Sequence, residues 1–130
     1  MYIATLSSEF SQKSARNSVH GVGEVGFLLR QGRSALCHLY QHDPIRILFP
    51  LQPAEEPPLA AVVTTSGGLV GGDQIEIEAT VDKNASALIV AQAAEKVYRS
   101  TGADCRIDVR LAVKAGGWLE WLPQETILFD

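Results

Sequence analysis

The sequence predicts a mainly antiparallel β protein, and three observations support this prediction. Apolar and polar residues alternate over several short segments, most cleanly across residues 105–113, as in strands that bury one face. Clusters of Gly, Pro, Asn and Asp separate these segments at short intervals. Apolar residues at helical spacing are not sustained over any long stretch, and there is no internal repeat. Successive short strands of this kind favour antiparallel sheets.

The first half of the chain contains three predicted strands after a polar lead-in. Residues 1–20 are predicted to be loosely ordered, because from residue 7 onward they are rich in Ser, Asn, Gln and Arg. The second strand also has apolar residues on one helical face, but Asp43–Pro44 ends it early and favours a strand. Three prolines and two carboxylates in residues 52–58 predict a loop. The strands are residues 23–30, 34–40 and 45–49.

A glycine-rich segment opens the second half. Residues 67–72 contain four glycines, a density typical of backbone that adopts positive φ or lies against other backbone. Residues 74–81 then alternate as a strand with Ile75, Ile77, Ala79 and Val81 on one face. Residues 82–84 are predicted to turn the chain into a more fully buried strand at residues 85–91.

The remaining segments are also short. Residues 92–99 fit either a helical segment or a strand, and the pattern leaves both open. Residues 105–113 are the clearest half-buried strand, and 114–117 predict a hairpin turn into a strand at 118–122. The chain then reaches an apolar strand at 127–130, whose exposed edge we expect to make the protein poorly soluble alone or dependent on a partner.

Composition sets limits on the class of protein. A chain of 130 residues has room for one domain, 1–130, with its own core. The net charge of −4 disfavours nucleic acid as a partner, and no apolar run approaches a membrane span. The N-terminus lacks the pattern of a signal peptide, so we expect a cytoplasmic protein. Cys37 and Cys105 are interpreted as small buried apolar residues rather than as a disulfide bridge.

Three segments in order give the chain a family resemblance. They are GGLVGGD at residues 67–73, AQAAEKVYRS at 91–100 and LEWLPQETILFD at 119–130. Their order and spacing resemble the UreD (UreH) family of urease accessory proteins, over essentially the whole chain but only about the N-terminal half of the family's usual length. Val90–Ala91 stands where the family often has two threonines. Glu95 stands where it often has a small or hydroxyl residue.

The resemblance implies a non-enzymatic scaffold, or chaperone, for urease maturation. Such a protein joins apo-urease to accessory proteins F and G, the latter a GTPase, and helps deliver nickel. The family's fold is mainly β, with stacked antiparallel sheets and at most one or two short helices. No cofactor is expected to bind tightly, although nickel would pass transiently along a polar passage, and neither nucleic acid nor membrane is an expected partner. The resemblance implies partner- or tunnel-lining roles for Asp73, Gln92, Lys96, Arg99, Ser100 and Glu125, and a structural loop at Gly67, Gly68, Gly71 and Gly72.

Two glycine patterns resemble nucleotide-binding motifs without meeting their requirements. Residues 21–26 match G-x-G-x-x-G, but no buried strand precedes them and no helix follows. The loop at 67–72 has Asp73 where a phosphate loop needs Lys, and a carboxylate repels phosphate. Asp73 is interpreted either as the cap of its own turn, accepting backbone N–H bonds, or as part of the functional surface implied by the resemblance.

The sequence predicts neither a preformed metal site nor an active site. Cys37, His38 and His42 are the one cluster with metal-ligand elements, but on a strand they do not converge. Glu120 and Glu125 are the best-placed carboxylate pair, and Glu120 most simply faces water. Two rival functions remain: an enzyme that uses the glycine loop, and a β-rich module that binds peptide or carbohydrate through Trp118 and Trp121. These tryptophans are predicted to face opposite sides of their strand, which disfavours a shared platform.

Overall fold

The computed structural model describes residues 2–6 and residues 18–129. Within these residues the chain forms eleven strands and no helix, so it also has no helix that is long and apolar enough to cross a membrane. The prediction of a mainly β fold is confirmed. In chain order the strands are β1 Tyr2–Leu6, β2 His20–Arg30, β3 Arg33–His42, β4 Ile45–Leu48, β5 Leu59–Thr64, β6 Gln74–Val81, β7 Ser86–Ala91, β8 Glu95–Val97, β9 Cys105–Val113, β10 Trp118–Leu122 and β11 Thr126–Leu128.

The strands form two main sheets and one small one. The five-stranded sheet has the order β1-β9-β6-β2-β3, and the four-stranded sheet has the order β10-β7-β5-β4. A two-stranded sheet pairs β11 with β8. Buried side chains from both main sheets form one hydrophobic cluster, so the two sheets pack on each other and share a core.

The prediction of antiparallel sheets is wrong for most of the pairings. Only β1–β9, β2–β3 and β4–β5 are antiparallel, whereas β2–β6, β6–β9, β5–β7, β7–β10 and β8–β11 are parallel. The physical reason is that the chain crosses directly between the two main sheets after β3, β5, β6 and β9, and passes from β7 back to β9 through β8. Strands that lie side by side therefore come from successive circuits of the chain and run in the same direction. The opposite sheet takes the place of the crossover helix that parallel strands usually need.

The crossing between sheets also shows that the hairpin predicted at residues 114–117 is wrong. These residues do connect β9 to β10, but β9 lies in the five-stranded sheet and β10 in the four-stranded sheet. The connection is therefore a passage between layers and not a β-hairpin. Residues 82–84 make the corresponding passage from β6 to β7.

The core follows the alternation read from the sequence. On β6, Ile75, Ile77, Ala79 and Val81 are all buried, while Glu76 and Glu78 between them are exposed. The same side of the five-stranded sheet contributes residues of β2 and β9, and the facing side of the other sheet contributes residues of β4 and β7. The further core members are Val25, Phe27, Ile45, Ile47, Ala60, Leu69, Ala85, Ala87, Ile89, Val97, Cys105 and Val109.

Strand positions agree with the sequence within a few residues, with two omissions. The sequence did not single out β1 or β5, and it left residues 92–99 open, where the structure has the three-residue strand β8. Of the lead-in predicted for residues 1–20, positions 2–6 form β1. Residues 7–17 of that lead-in lie outside the described residues. Cys37 is exposed, so its interpretation as a buried residue is wrong, whereas Cys105 is buried and both thiols are free.

The G-x-G-x-x-G pattern of residues 21–26 has a packing role. Gly21 and Gly23 lie in β2 on the face that meets the four-stranded sheet, and both are buried. A Cβ at Gly21 would come within 2.9 Å of Ile45 and of Ile75, and a Cβ at Gly23 would come within 2.8 Å of Ile45. The glycines are needed because Ile45 occupies the space that a side chain would fill.

Candidate functional site

The three segments that carry the family resemblance meet at one place in the structure. Leu69 of the glycine loop forms a parallel bridge to Val97 of β8, and β8 pairs with β11 over Glu95–Val97 and Thr126–Leu128. The Leu69 N–H donates to the carbonyl of Lys96, and the Tyr98 N–H donates to the carbonyl of Leu69, both at 2.8 Å. We call this meeting of the glycine loop with residues 95–104 and 125–129 the junction.

Two glycines of the loop are required by how closely it packs at the junction. Gly68 has φ +140, and a Cβ there would collide with the ring of Tyr98. Gly71 lies against Ser100, so a Cβ there would collide with the Ser100 hydroxyl and with the carbonyl of Ala103. The Tyr98 ring in turn stacks on Phe129, with ring centroids 5.1 Å apart. The loop, β8 and the segment after β11 thus form one packed unit.

Asp73 is completely buried at the base of the glycine loop. Its Oδ2 accepts the N–H of Val70 and its Oδ1 accepts the N–H of Val19, both at 2.9 Å. Its backbone carbonyl accepts the N–H of Arg106 on β9 at 2.9 Å. Asp73 therefore caps its own turn, and that turn connects β5 in one main sheet to β6 in the other. Whether it also lines a passage stays a prediction.

The other predicted residues divide between the junction and its surroundings. Lys96 is exposed on β8. Glu125 is also exposed, and its backbone carbonyl accepts the Glu95 N–H at 3.1 Å. Arg99 and Ser100 are half-buried just after β8, where the Ser100 hydroxyl donates to the carbonyl of Ala103 at 3.2 Å. Gln92 is exposed in the connection from β7 to β8, apart from the junction, and its N–H donates to the carbonyl of Val62 at 3.3 Å.

A cavity of about 430 Å³ lies beside the junction, between the two main sheets. Its walls are mainly apolar. Ile75, Ile77 and Val109 line it from the five-stranded sheet, and Val62 and Trp121 line it from the four-stranded sheet. In the described part of the chain, the polar side chains of the lining are those of Thr64, Glu95, Gln124 and Thr126.

Glu95 gives this cavity its one ionisable side chain among the described lining residues. The residue is half-buried, and the Thr64 hydroxyl donates to Oε2 at 2.8 Å. Burial raises the pKa of the Glu95 carboxyl above its usual value, and the Thr64 hydrogen bond opposes part of that rise. The nearby Cys105 thiol has its pKa raised to about 12, first by burial and then by the carboxylates of Asp73, Glu95 and Asp104, so the thiol is neutral near pH 7.

The histidine and tryptophan candidates are dispersed. His38 Nε2 is 2.9 Å from Glu24 Oε1, and His42 Nδ1 donates to the carbonyl of His20 at 3.1 Å. Within the described ranges, no group of three His, Cys, Asp or Glu side chains is arranged to hold a metal ion. Trp118 is exposed and Trp121 half-buried on alternate faces of β10, which confirms that the two do not share a platform.

Sequence reasoning missed Glu95 and the cavity. Glu95 appeared there only as a departure from the family pattern, and no site was predicted at it. A signal was nevertheless present, because Glu95 and the buried Val97 are two positions apart and share a face of β8. No local sequence pattern indicates the cavity, since the strands that form its walls are far apart in the chain.

Comparison with known proteins gives one consistent result. The family model described as UreD urease accessory protein matches residues 19–130. A protein of Magnetococcus marinus named Urease accessory protein UreD is 51% identical over 127 residues, which cover 98% of this chain and 43% of that protein. A protein of Brucella suis with the same name is 45% identical over 112 residues, covering 86% of this chain and 40% of that protein. The chain thus spans about two fifths of the length of these curated relatives.

The packing of the glycine loop predicts unequal effects for two alanine substitutions. We expect Gly71→Ala to destabilise the protein by about 1–3 kcal/mol, because the added methyl group overpacks the contact with Ser100 and Ala103. Gly67→Ala is the matched control, since a Cβ there meets nothing within 4 Å. Urea denaturation followed by circular dichroism measures both, and equal stabilities of the two variants would contradict the packing described.

The buried carboxylate of Asp73 predicts a second stability effect. Asp73→Ala removes the acceptor from the N–H groups of Val19 and Val70, at a cost of about 1–3 kcal/mol for each group left unsatisfied. Asp104→Ala is the control, because its side chain is exposed and the carbonyl that accepts the Gly72 N–H is retained. Thermal melting measures the difference, and an Asp73→Ala variant as stable as the control would be inconsistent with a capping role.

The raised pKa of Glu95 predicts a pH-dependent stability difference. Below its unfolded-state pKa, the carboxyl is protonated in both the folded and the unfolded state. As the pH rises through the higher folded-state pKa, the folded chain must ionise a half-buried group and loses stability. We therefore expect Glu95→Gln to melt at a higher temperature than the parent at pH 7 and at the same temperature near about pH 4. The control is Glu125→Gln, which removes an exposed carboxyl, and a pH-independent difference for Glu95→Gln would refute the prediction.

Proposed function

Because the chain belongs to the UreD family of urease accessory proteins, we propose that it acts as a non-enzymatic scaffold in the cytoplasmic maturation of urease. In this role it binds accessory protein F, and through it the GTPase accessory protein G, together with apo-urease. The assembly delivers nickel to the urease active site. The chain contributes a contact surface and does not transform a substrate.

The convergence of the three family segments at the junction supports this proposal most directly. Segments that are separate in sequence come together there in one packed unit. The exposed side of this unit combines charges of both signs, at Lys96 and Glu125, with apolar groups. Ile127, Leu128 and Phe129 are 38%, 62% and 42% exposed. Exposed apolar residues rimmed by charges are typical of protein–protein contact sites.

The backbone of β11 adds a second feature that suits partner binding. Among the described residues, β11 pairs only with β8, so no described strand lies along its other edge. Such an edge can accept a further strand from another chain. We propose that the edge of β11 and the exposed side chains around it form the surface that accessory protein F contacts.

Nickel, on this proposal, is a transient passenger and not a resident cofactor. Glu125 is exposed at the junction and supplies a carboxylate that a divalent cation can approach. Asp73 is assigned to holding the glycine loop, because each of its oxygens accepts a backbone N–H. Isolated oxygen ligands bind nickel weakly and release it readily, whereas convergent Cys and His ligands retain it.

Charge reversal at the junction tests the partner surface. We expect Lys96→Glu and Glu125→Lys each to reduce capture of accessory protein F at least tenfold in a co-purification assay, because each reverses a charge within the contact. Lys83→Glu is the matched control, since Lys83 is exposed in the turn at the far end of β6 from the glycine loop. Circular dichroism verifies that all three variants fold. Undiminished capture by folded Lys96→Glu and Glu125→Lys would remove the junction from the proposal.

A further inference from the structure

The cavity between the main sheets has the dimensions of a small-molecule site. Its volume of about 430 Å³ falls within the range of ligand pockets, which are usually apolar with a few placed polar groups. Ile75, Ile77, Ile107 and Val109 form one wall, and Trp121 faces them from β10. Such walls favour a hydrocarbon body, because burying each methylene group removes apolar surface from water.

The polar groups of the cavity favour a cation. Glu95 is the one ionisable residue in the described lining, and Thr64, Gln124 and Thr126 supply neutral polar groups. Within the part of the chain that the structure describes, Glu95 forms no salt bridge. Among the described residues, the Thr64 hydroxyl is the one hydrogen-bond donor to the carboxylate, and it uses one of about four acceptor positions. A half-buried carboxylate without a cationic neighbour is stabilised when a bound ligand supplies a positive charge.

A metal ion fits this chemistry poorly. A divalent cation needs several convergent ligands. Here the described lining supplies a single carboxylate with the neutral side chains of Thr64, Gln124 and Thr126, and the described residues contain no group of three His, Cys, Asp or Glu side chains that could hold a metal ion. An ammonium group carries one positive charge and three N–H donors, which match one carboxylate and its neutral polar neighbours. The apolar walls then accommodate the alkyl chain attached to it.

We propose that this cavity is a binding site for a small primary aliphatic amine in its ammonium form. The ammonium group donates to Glu95, and the alkyl chain lies between Trp121 and the isoleucines of the five-stranded sheet. The cavity and the exposed partner surface lie on opposite faces of β8, because Glu95 lines the cavity and Lys96 is exposed, so the proposed site does not depend on the proposed role in urease maturation.

Titration of the folded 130-residue chain with matched six-carbon probes at pH 7 tests the proposal. We expect n-hexylamine to bind saturably, as measured by calorimetry and by two-dimensional NMR shifts at the lining residues, and hexanoate not to bind. Affinity should rise about fourfold for each methylene group added from n-propylamine to n-hexylamine. The absence of saturable n-hexylamine binding, or equal binding of hexanoate, would overturn the proposal.

Two variants distinguish the contribution of the Glu95 charge to ligand binding from that of the cavity volume. Glu95→Gln is expected to weaken n-hexylamine binding at least tenfold and to leave the binding of hexan-1-ol unchanged, because only the charged contact is lost. Ala94→Leu is expected to weaken both probes, because it fills the space that they share. Unchanged n-hexylamine affinity in Glu95→Gln would contradict the assignment even if Ala94→Leu fails to fold.

Discussion

The buried carboxylate of Asp73 is the constraint on which most of this structure depends. The chain leaves β5 in one sheet and enters β6 in the other, and a crossing of this kind exposes backbone N–H groups inside the protein. Asp73 satisfies two of them, at Val70 within the loop and at Val19 before β2. Because unsatisfied buried N–H groups are costly, this residue determines the path of the loop and the point where β6 begins.

The position of the loop then determines the arrangement of the chain that follows. Because the loop is held in place, Leu69 lies beside Val97 and forms a β-bridge to β8. On its other side, β8 pairs with β11. Positions 68 and 71 require glycine, because Tyr98 and Ser100 occupy the space that a Cβ atom would need. The segments by which the family is recognised are therefore a set of mutually packed elements, which explains why they occur together in the chain.

The junction and the cavity serve different chemistry although they are neighbours. The junction offers exposed charges, apolar side chains and a free strand edge, which suit a macromolecular partner. The cavity offers an apolar interior with one carboxylate of raised pKa, which suits a small guest. β8 supplies residues to both, because Lys96 points outward while Glu95, one position earlier, points to the opposite face. Adjacent residues of a single short strand thus lie in two different environments.

The sequence by itself determined where most of the strands lie and which faces of the alternating ones are apolar, as β6 and β9 illustrate, because side-chain alternation is a local property. It also indicated the family, through three ordered segments, and it offered a capping role as one of two interpretations of Asp73, since the contact with Val70 spans only three positions. Only the tertiary structure decided that the sheets are largely parallel, that Gly21 and Gly23 make room for Ile45, and that Glu95 lies in a cavity. Each of these depends on residues that are distant in the chain, and strand alternation does not specify which strands pair or which side chains meet across the core.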